Sequence, residues 1–124
     1  KGQPGGEGND RIKICEDTDG DGKADKFTVF ADKLNLATSL AFVDGGVMVS
    51  VARQMVFLKD TDGDDKADVQ TIMLMGLDSS DSHHGANNLI YGPDGGIYWQ
   101  SGVFMQHNHE HPWGPSLQTT ASAQ

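Results

Sequence analysis

The chain has 124 residues, 36% of them hydrophobic, with 18 acidic against 9 basic side chains and a net charge of −9. That balance argues against nucleic acid or an anionic membrane surface as a partner. No apolar run approaches the roughly 18–20 residues that a membrane-crossing helix needs, which argues against direct membrane insertion. Sixteen glycines with only 7% aromatic residues fit a turn-rich β protein better than a helical bundle. No signal peptide is recognisable, and the opening Lys1-Gly2-Gln3-Pro4-Gly5-Gly6, without Met, reads as a mature product or an excised piece. A single cysteine, Cys15, excludes an internal disulfide or a cysteine-rich metal site, and its place in an apolar/polar alternation predicts a buried structural thiol.

Residues 1–10 are Gly-rich and polar, as in a linker or surface loop. Short apolar and β-branched segments follow, each closed by turn residues, and they predict strands over Arg11–Glu16, Lys26–Ala31, Thr38–Val43, Val47–Val51, Gln54–Lys59, Val69–Met75, Asn87–Tyr91 and Ile97–Gln100. Asp44-Gly45-Gly46 and Pro93-Asp94-Gly95-Gly96 are hairpin turn signals, since Gly accepts positive φ. No window holds a 3.6-residue apolar period over three turns, so the expected class is all-β.

Two acidic stretches stand out: Asp17-Thr18-Asp19-Gly20-Asp21-Gly22-Lys23-Ala24-Asp25, and Asp60-Thr61-Asp62-Gly63-Asp64-Asp65-Lys66-Ala67-Asp68. Their first residues lie 43 positions apart, the length of one four-stranded propeller blade with its turns. A second similarity, Ser39-Leu40-Ala41-Phe42 before Asp44-Gly45-Gly46-Val47 and Asn88-Leu89-Ile90-Tyr91 before Asp94-Gly95-Gly96-Ile97, has a longer offset. Part of the surplus falls around Leu77–Gly85, and insertions on a repeated scaffold usually map to loops on one face. The expected architecture is a partial β-propeller of about two four-stranded antiparallel blades. Its parts are a linker over 1–10, the end of one blade over 11–37, a complete blade over 38–76, a His-bearing insertion over 77–86, the start of the next blade over 87–118 and a disordered tail over 119–124. Such units cannot bury their faces alone. The expected partners are therefore the remaining blades of the same propeller or other protein chains.

Carboxylates at positions 1, 3, 5 and 9 of a loop repel one another unless a cation sits between them. Hard oxygen donors suit Ca²⁺, which takes about 6–8 of them. The expected ligands are Asp17, Asp19, Asp21 and Asp25 with the Lys23 carbonyl, and Asp60, Asp62, Asp64 and Asp68 with the Lys66 carbonyl. The alternative is an acidic turn that merely solvates the surface. Position 6 is Gly22 in the first loop but Asp65 in the second, so the second is expected to be the more strained site.

His83-His84 sits in a Ser/Asp-rich stretch, where a His pair is either solvated or a general base. The run His84-Gly85-Ala86-Asn87-Asn88-Leu89-Ile90-Tyr91-Gly92-Pro93-Asp94-Gly95-Gly96-Ile97-Tyr98 resembles soluble pyrroloquinoline-quinone-dependent sugar dehydrogenases. Glu7-Gly8-Asn9-Asp10-Arg11-Ile12, the first acidic loop, Phe57-Leu58-Lys59-Asp60-Thr61-Asp62-Gly63-Asp64, His83-His84-Gly85 and Pro112-Trp113-Gly114 are similar to a related group, the membrane-bound dehydrogenase propellers of planctomycete-type bacteria. The resemblance covers roughly residues 5–115. It implies a six- or seven-bladed propeller, periplasmic or extracellular in a bacterium, in which His84 takes the substrate's hydroxyl proton. It also implies a sugar or alcohol substrate and pyrroloquinoline quinone in a full-length parent. The chain departs from the sugar dehydrogenases in having Gln100-Ser101-Gly102-Val103 where they have Gly-Asp, and no Arg/Lys cluster follows to hold a quinone.

His107, His109 and His111 alternate, so in an extended strand they would share one face as transition-metal ligands do; the alternative is an exposed polar loop. Trp99 and Trp113 read as packing residues, and the five methionines as core filler. Two functional expectations result. One is a calcium-stabilised segment of an exported quinone-type dehydrogenase-like propeller, inactive alone. The other is a non-catalytic calcium-binding scaffold or interaction module within a larger assembly.

Overall fold

The structure, a computed structural model, describes residues 7–78, 80, 84–103 and 105–120. Ten strands make it up, β1 (Asp10–Glu16), β2 (Lys26–Leu34), β3 (Ser39–Val43), β4 (Gly46–Val51), β5 (Gln54–Lys59), β6 (Val69–Met75), β7 (Asn87–Tyr91), β8 (Ile97–Gln100), β9 (Gln106–His111) and β10 (Gly114–Thr120). No helix occurs among the described residues. The eight expected strands are all present, with β1 and β4 starting one residue earlier, β2 running three residues further and β3 starting one later. The last two strands had no counterpart in the sequence reading.

Everything is organised around β3 to β6, an antiparallel meander in which each strand pairs with the next. Strand β4 is buried at five of its six positions, a sign that both faces of its sheet are covered. On one face, Val47, Val49, Val51, Val56 and Leu58 pack with Phe30 and Leu34 of the β1–β2 hairpin, flanked by Ile12 and Ile14. On the other, Ala41 and Met55 pack with Leu77, Ala86 and Leu89, flanked by Met48, Leu74, Ile97 and Trp99. Register sets this split: Val49 opposes Val56 and Val47 opposes Leu58, while Ala41 opposes Met48. Shifting the β4–β5 pairing by one residue would exchange the two cores.

Three sheets therefore stack, β1–β2, the central meander and β7–β8. Backbone bonds tie the layers as well. Ala67 N donates to Phe30 O (2.8 Å) across the first junction. Across the second, Ser50 Oγ and Thr38 Oγ1 both donate to Ala86 O at 2.6 Å, and Leu89 N donates to Ser39 Oγ at 2.9 Å. The repeat of 43 residues carries β1–β2 onto β5–β6, and the longer offset carries β3–β4 onto β7–β8.

Several expectations change. Within residues 87–118, expected as the start of the next blade, β7 and β8 form a sheet of their own, while the β9–β10 hairpin joins the edge of β6 through the pair Met75–Glu110, making the central sheet six-stranded. Strand β10 reaches Thr120, two residues into the stretch expected as a tail, while 121–124 lie outside the described residues. In the expected linker, residues 1–6 likewise lie outside, but Gly8 N donates to Lys33 O (3.2 Å) and Asp10 begins β1. Cys15 is exposed, not buried. Ile12 and Ile14 occupy the inward face of β1, which turns Lys13 and Cys15 outward beside Val29 and Phe27. Trp113 is exposed too, whereas Trp99 packs as expected. Of the methionines, Met55 and Met105 are core residues and Met75 is exposed.

Covering is incomplete at the stack's edges. The two-stranded β1–β2 sheet does not reach over β3, so Phe42 stays 76% exposed although it stands on the same face as Val47. Beside it an open cleft of about 780 Å³ is lined by Ile12, Ile14, Phe30, Leu40 and Phe42, with Asp60 at its rim. Because Leu58 is 2% exposed at the centre of the first core, Leu58→Ala is expected to lower unfolding free energy by about 2–5 kcal/mol in urea titrations. Phe42→Ala should change it by less than about 0.5 kcal/mol.

Candidate functional site

Each acidic loop connects the two strands of an equivalent hairpin, the first joining β1 to β2 and the second β5 to β6. Both are closed by a backbone bond, Asp25 N to Glu16 O (2.9 Å) and Asp68 N to Lys59 O (3.0 Å). Asp17 sits at the centre of the first loop, where Oδ1 accepts from Gly20 N (2.7 Å) and Oδ2 from Gly22 N (2.8 Å). Asp60 does the same in the second, accepting from Gly63 N (2.7 Å) and Asp65 N (2.9 Å). Charge-assisted acceptance of this kind stabilises the ionised form. It holds both carboxyls below the ordinary carboxylate range, through Gly22 first for Asp17 and Gly63 first for Asp60.

Asp17, Asp19 and Asp21 bring carboxylate oxygens within 4.8 Å of one another, and Asp60, Asp62 and Asp64 repeat the arrangement. The position-9 carboxylates do something else. Asp25 accepts from Thr18 N (3.0 Å) and Thr18 Oγ1 (2.6 Å), and Asp68 accepts from Thr61 N (2.9 Å) and from the Thr61 hydroxyl. They clamp the loop's entrance to its exit, and neither belongs to its triad of converging oxygens. The threonine bond is the main cause that lowers the Asp25 carboxyl. Threonine occupies position 2 of both loops, a signal present in the sequence but unused in choosing ligands.

The donor set fits a hard divalent cation. Three aspartates per loop converge, both Asp17 oxygens and Asp60 Oδ2 keep a lone pair beyond their amide bond while Asp60 Oδ1 accepts a second amide from Asp62 (3.1 Å), and exposure leaves room for water to complete the shell. Lys23 and Lys66 carry their ammonium groups toward Asp21 and Asp64, at 4.0 and 3.0 Å. Their backbone amides donate to the same carboxylates, at 2.8 and 2.9 Å. At position 6 both residues adopt the left-handed conformation, Gly22 at φ 86° and Asp65 at φ 64°. Only the aspartate carries the steric cost of a Cβ there.

His84 is half-buried at the end of the 77–86 segment, immediately before β7. Gly102 N donates to its carbonyl (2.9 Å), and its side chain lies so close that a Cβ on Gly102 would meet His84 Cβ at 2.5 Å. Its neighbour His83 lies outside the described residues. All nine basic residues precede position 67, so the half of the chain that carries His84 has no Lys or Arg for a quinone's carboxylates. Residues 67–124 thus offer that cofactor no cationic partner of their own.

The alternating histidines lie in β9 rather than in an exposed loop, and the described rings of His107 and His109 pack against each other. His107 is 3% exposed and stacks on His109 at 5.2 Å between ring centroids, and the Trp99 ring meets both edgewise at 5.6 and 5.5 Å. Asp78 N donates to His107 Nδ1 (2.9 Å), which occupies that lone pair. Only the two acidic groups bring three ligand atoms together among the described residues, and the side chain of His111 lies outside them. Burial lowers the affinity of both rings for a proton, and the neighbouring His107 lowers that of His109 further.

Residues 1–121 match the family described as Domain of unknown function (DUF7133), and the chain belongs to that family. No curated protein matches the chain. No solved structure does either.

Position 6 provides a test with opposite signs. Gly22→Ala meets nothing within 4 Å, so its cost is conformational, and it should destabilise the first loop by about 1 kcal/mol. Asp65→Gly should stabilise the second by a similar amount, both read from thermal melts. Acid should act on the same loops. The unfolded carboxyls protonate first, near 3.8, so the loops' contribution is complete above that pH and disappears as pH falls through the lower folded values.

Proposed function

We propose that this chain is a calcium-braced segment of a larger β-propeller, a scaffold whose open faces are covered by the remaining blades or by other protein chains. The observation that carries this is the convergence of three aspartates in each of two loops at the same place in equivalent hairpins 43 residues apart. In each loop a cation would neutralise carboxylates that otherwise repel and fasten one strand pair at its turn. The uncovered apolar side chains argue for the larger assembly. Phe27 and Val29 face out of the first layer, Ile90 and Tyr98 out of the last, and Phe42 lies beyond the reach of β1–β2. Sheet faces of that kind are normally buried.

A second reading rests on the resemblance of the His84–Tyr98 run to quinone-dependent sugar dehydrogenases, in an exported bacterial protein. There His84 would accept a proton from a sugar or alcohol hydroxyl, within hydrogen-bond reach of it. A quinone would need cationic partners from outside residues 67–124, since these contain none. Loss of sugar- or alcohol-dependent dye reduction on His84→Ala in a full-length parent would favour this reading over the scaffold alone.

Titration calorimetry with Ca²⁺ is expected to give two sites per chain, and Asp19→Ala or Asp62→Ala should each remove one. EDTA should lower the melting temperature of the wild type. Unchanged stoichiometry in both variants would overturn the calcium reading.

A further inference from the structure

Between the central meander and β7, the described stretches Leu77–Asp78 and His84–Ala86 are each held by hydrogen bonds. In the second, Ala86 O accepts two hydroxyls and His84 O accepts Gly102 N. In the first, Leu77 N donates to Arg53 O (3.1 Å), and Asp78 forms a reciprocal pair with β9. Its amide donates to His107 Nδ1 (2.9 Å), while its Oδ2 accepts from Gln106 N (2.9 Å). Asp78 Oδ1 turns the chain by accepting Ser80 N (2.9 Å).

The polarity of one of these bonds fixes the state of the imidazole. A backbone N–H only donates, so His107 Nδ1 must carry a lone pair and the ring's proton resides on Nε2. Charging the ring adds a proton to Nδ1, pointing at the Asp78 N–H. The bond and the cation exclude each other. We infer that the Asp78 amide–His107 Nδ1 bond is an acid-released latch, which fastens the chain at Leu77–Asp78 to β9 while His107 is neutral and lets it go when the ring charges.

The surroundings hold the latch shut near neutrality. His107 is 3% exposed, and its Nε2 meets no hydrogen-bond acceptor among the described residues, so a cation there would be poorly solvated. The groups against the ring are the Asp78 carboxylate from the joining segment, His109 from the same face of β9, and the uncharged Trp99 from β8. Burial disfavours the cation and outweighs Asp78, which favours it, so the ring protonates below the ordinary imidazole value of 6.5. With the folded value lowered, the unfolded chain takes the proton first. The latch's contribution is therefore complete above about 6.5 and is lost as pH falls from there through the folded value. None of this depends on calcium or on a catalytic His84.

The experiment combines imidazole ¹⁵N spectra with amide hydrogen exchange at Asp78 and Gln106, from about pH 8 to about pH 5. At the upper end His107 should be the neutral Nε2–H tautomer with both amides protected. On acidification both amides should exchange about tenfold faster, once corrected for the intrinsic pH dependence, at the pH where His107 charges, with β4 and β5 unchanged. His107→Asn offers an acceptor that cannot charge and should keep both amides protected throughout. His107→Leu should leave them unprotected at every pH. An Nδ1–H tautomer at the upper end, protection that survives charging of His107, or pH-dependent release in His107→Asn would overturn the latch. If His107→Leu does not fold, the wild-type titration and the Asn variant still decide it.

Discussion

Double-sided burial of β4 and β5 is the constraint on which the rest of the structure depends. A meander whose inner strands are apolar on both faces cannot stand in water, and each face here is covered by another strand pair. Val49 and Val56, opposed in the ladder, are 1% and 0% exposed, so the register of one hairpin decides which side chains enter which core. The one polar side chain buried on β4 is satisfied. Ser50, 1% exposed on the second face, gives its hydroxyl to the Ala86 carbonyl and so ties the segment before β7 to the central sheet. Packing and polar satisfaction thus act at the same seam.

Seen from that core, the acidic loops sit where hairpin ends leave the packed region. They gain nothing from apolar burial and hold their shape through carboxylates accepting backbone amides. In both, position 1 organises the turn and position 9 clamps its ends through a threonine, which leaves positions 1, 3 and 5 to converge. A cation at that convergence would act on strand pairs that differ in support. The first hairpin packs by one face against the meander, whereas the second is part of it. The strained Asp65 falls in the better-supported one.

Much of this was legible in the residues, for physical reasons that can be named. Eight strands were readable because period-two alternation and Gly/Asp turns are local signals, and the 43-residue repeat placed the loops in equivalent hairpins. What escaped depends on long-range partners. Strands β9 and β10 are rich in His, Gln and Thr without an apolar stripe, and their place on β6 is set by tertiary contact. Cys15 alternates like a buried residue, but which face of β1 meets the core is decided by Ile12 and Ile14 finding Phe30. Asp25 and Asp68 read as ligands by spacing, and only geometry shows their oxygens given to Thr18 and Thr61. The bond between Asp78 and His107, 29 residues apart, has no sequence signature at all.

The central claim is that cation binding in the acidic loops fastens hairpins whose stacking is already fixed by the two cores. Residue-resolved amide exchange of the intact chain, compared in Ca²⁺ and in EDTA, tests it most directly. The account predicts that amides of Gly20, Gly22, Gly63 and Asp65, with the adjoining ends of β1, β2, β5 and β6, slow markedly in Ca²⁺, while β4 stays protected in both. Loop amides that exchange at the same rate with and without Ca²⁺ would contradict it.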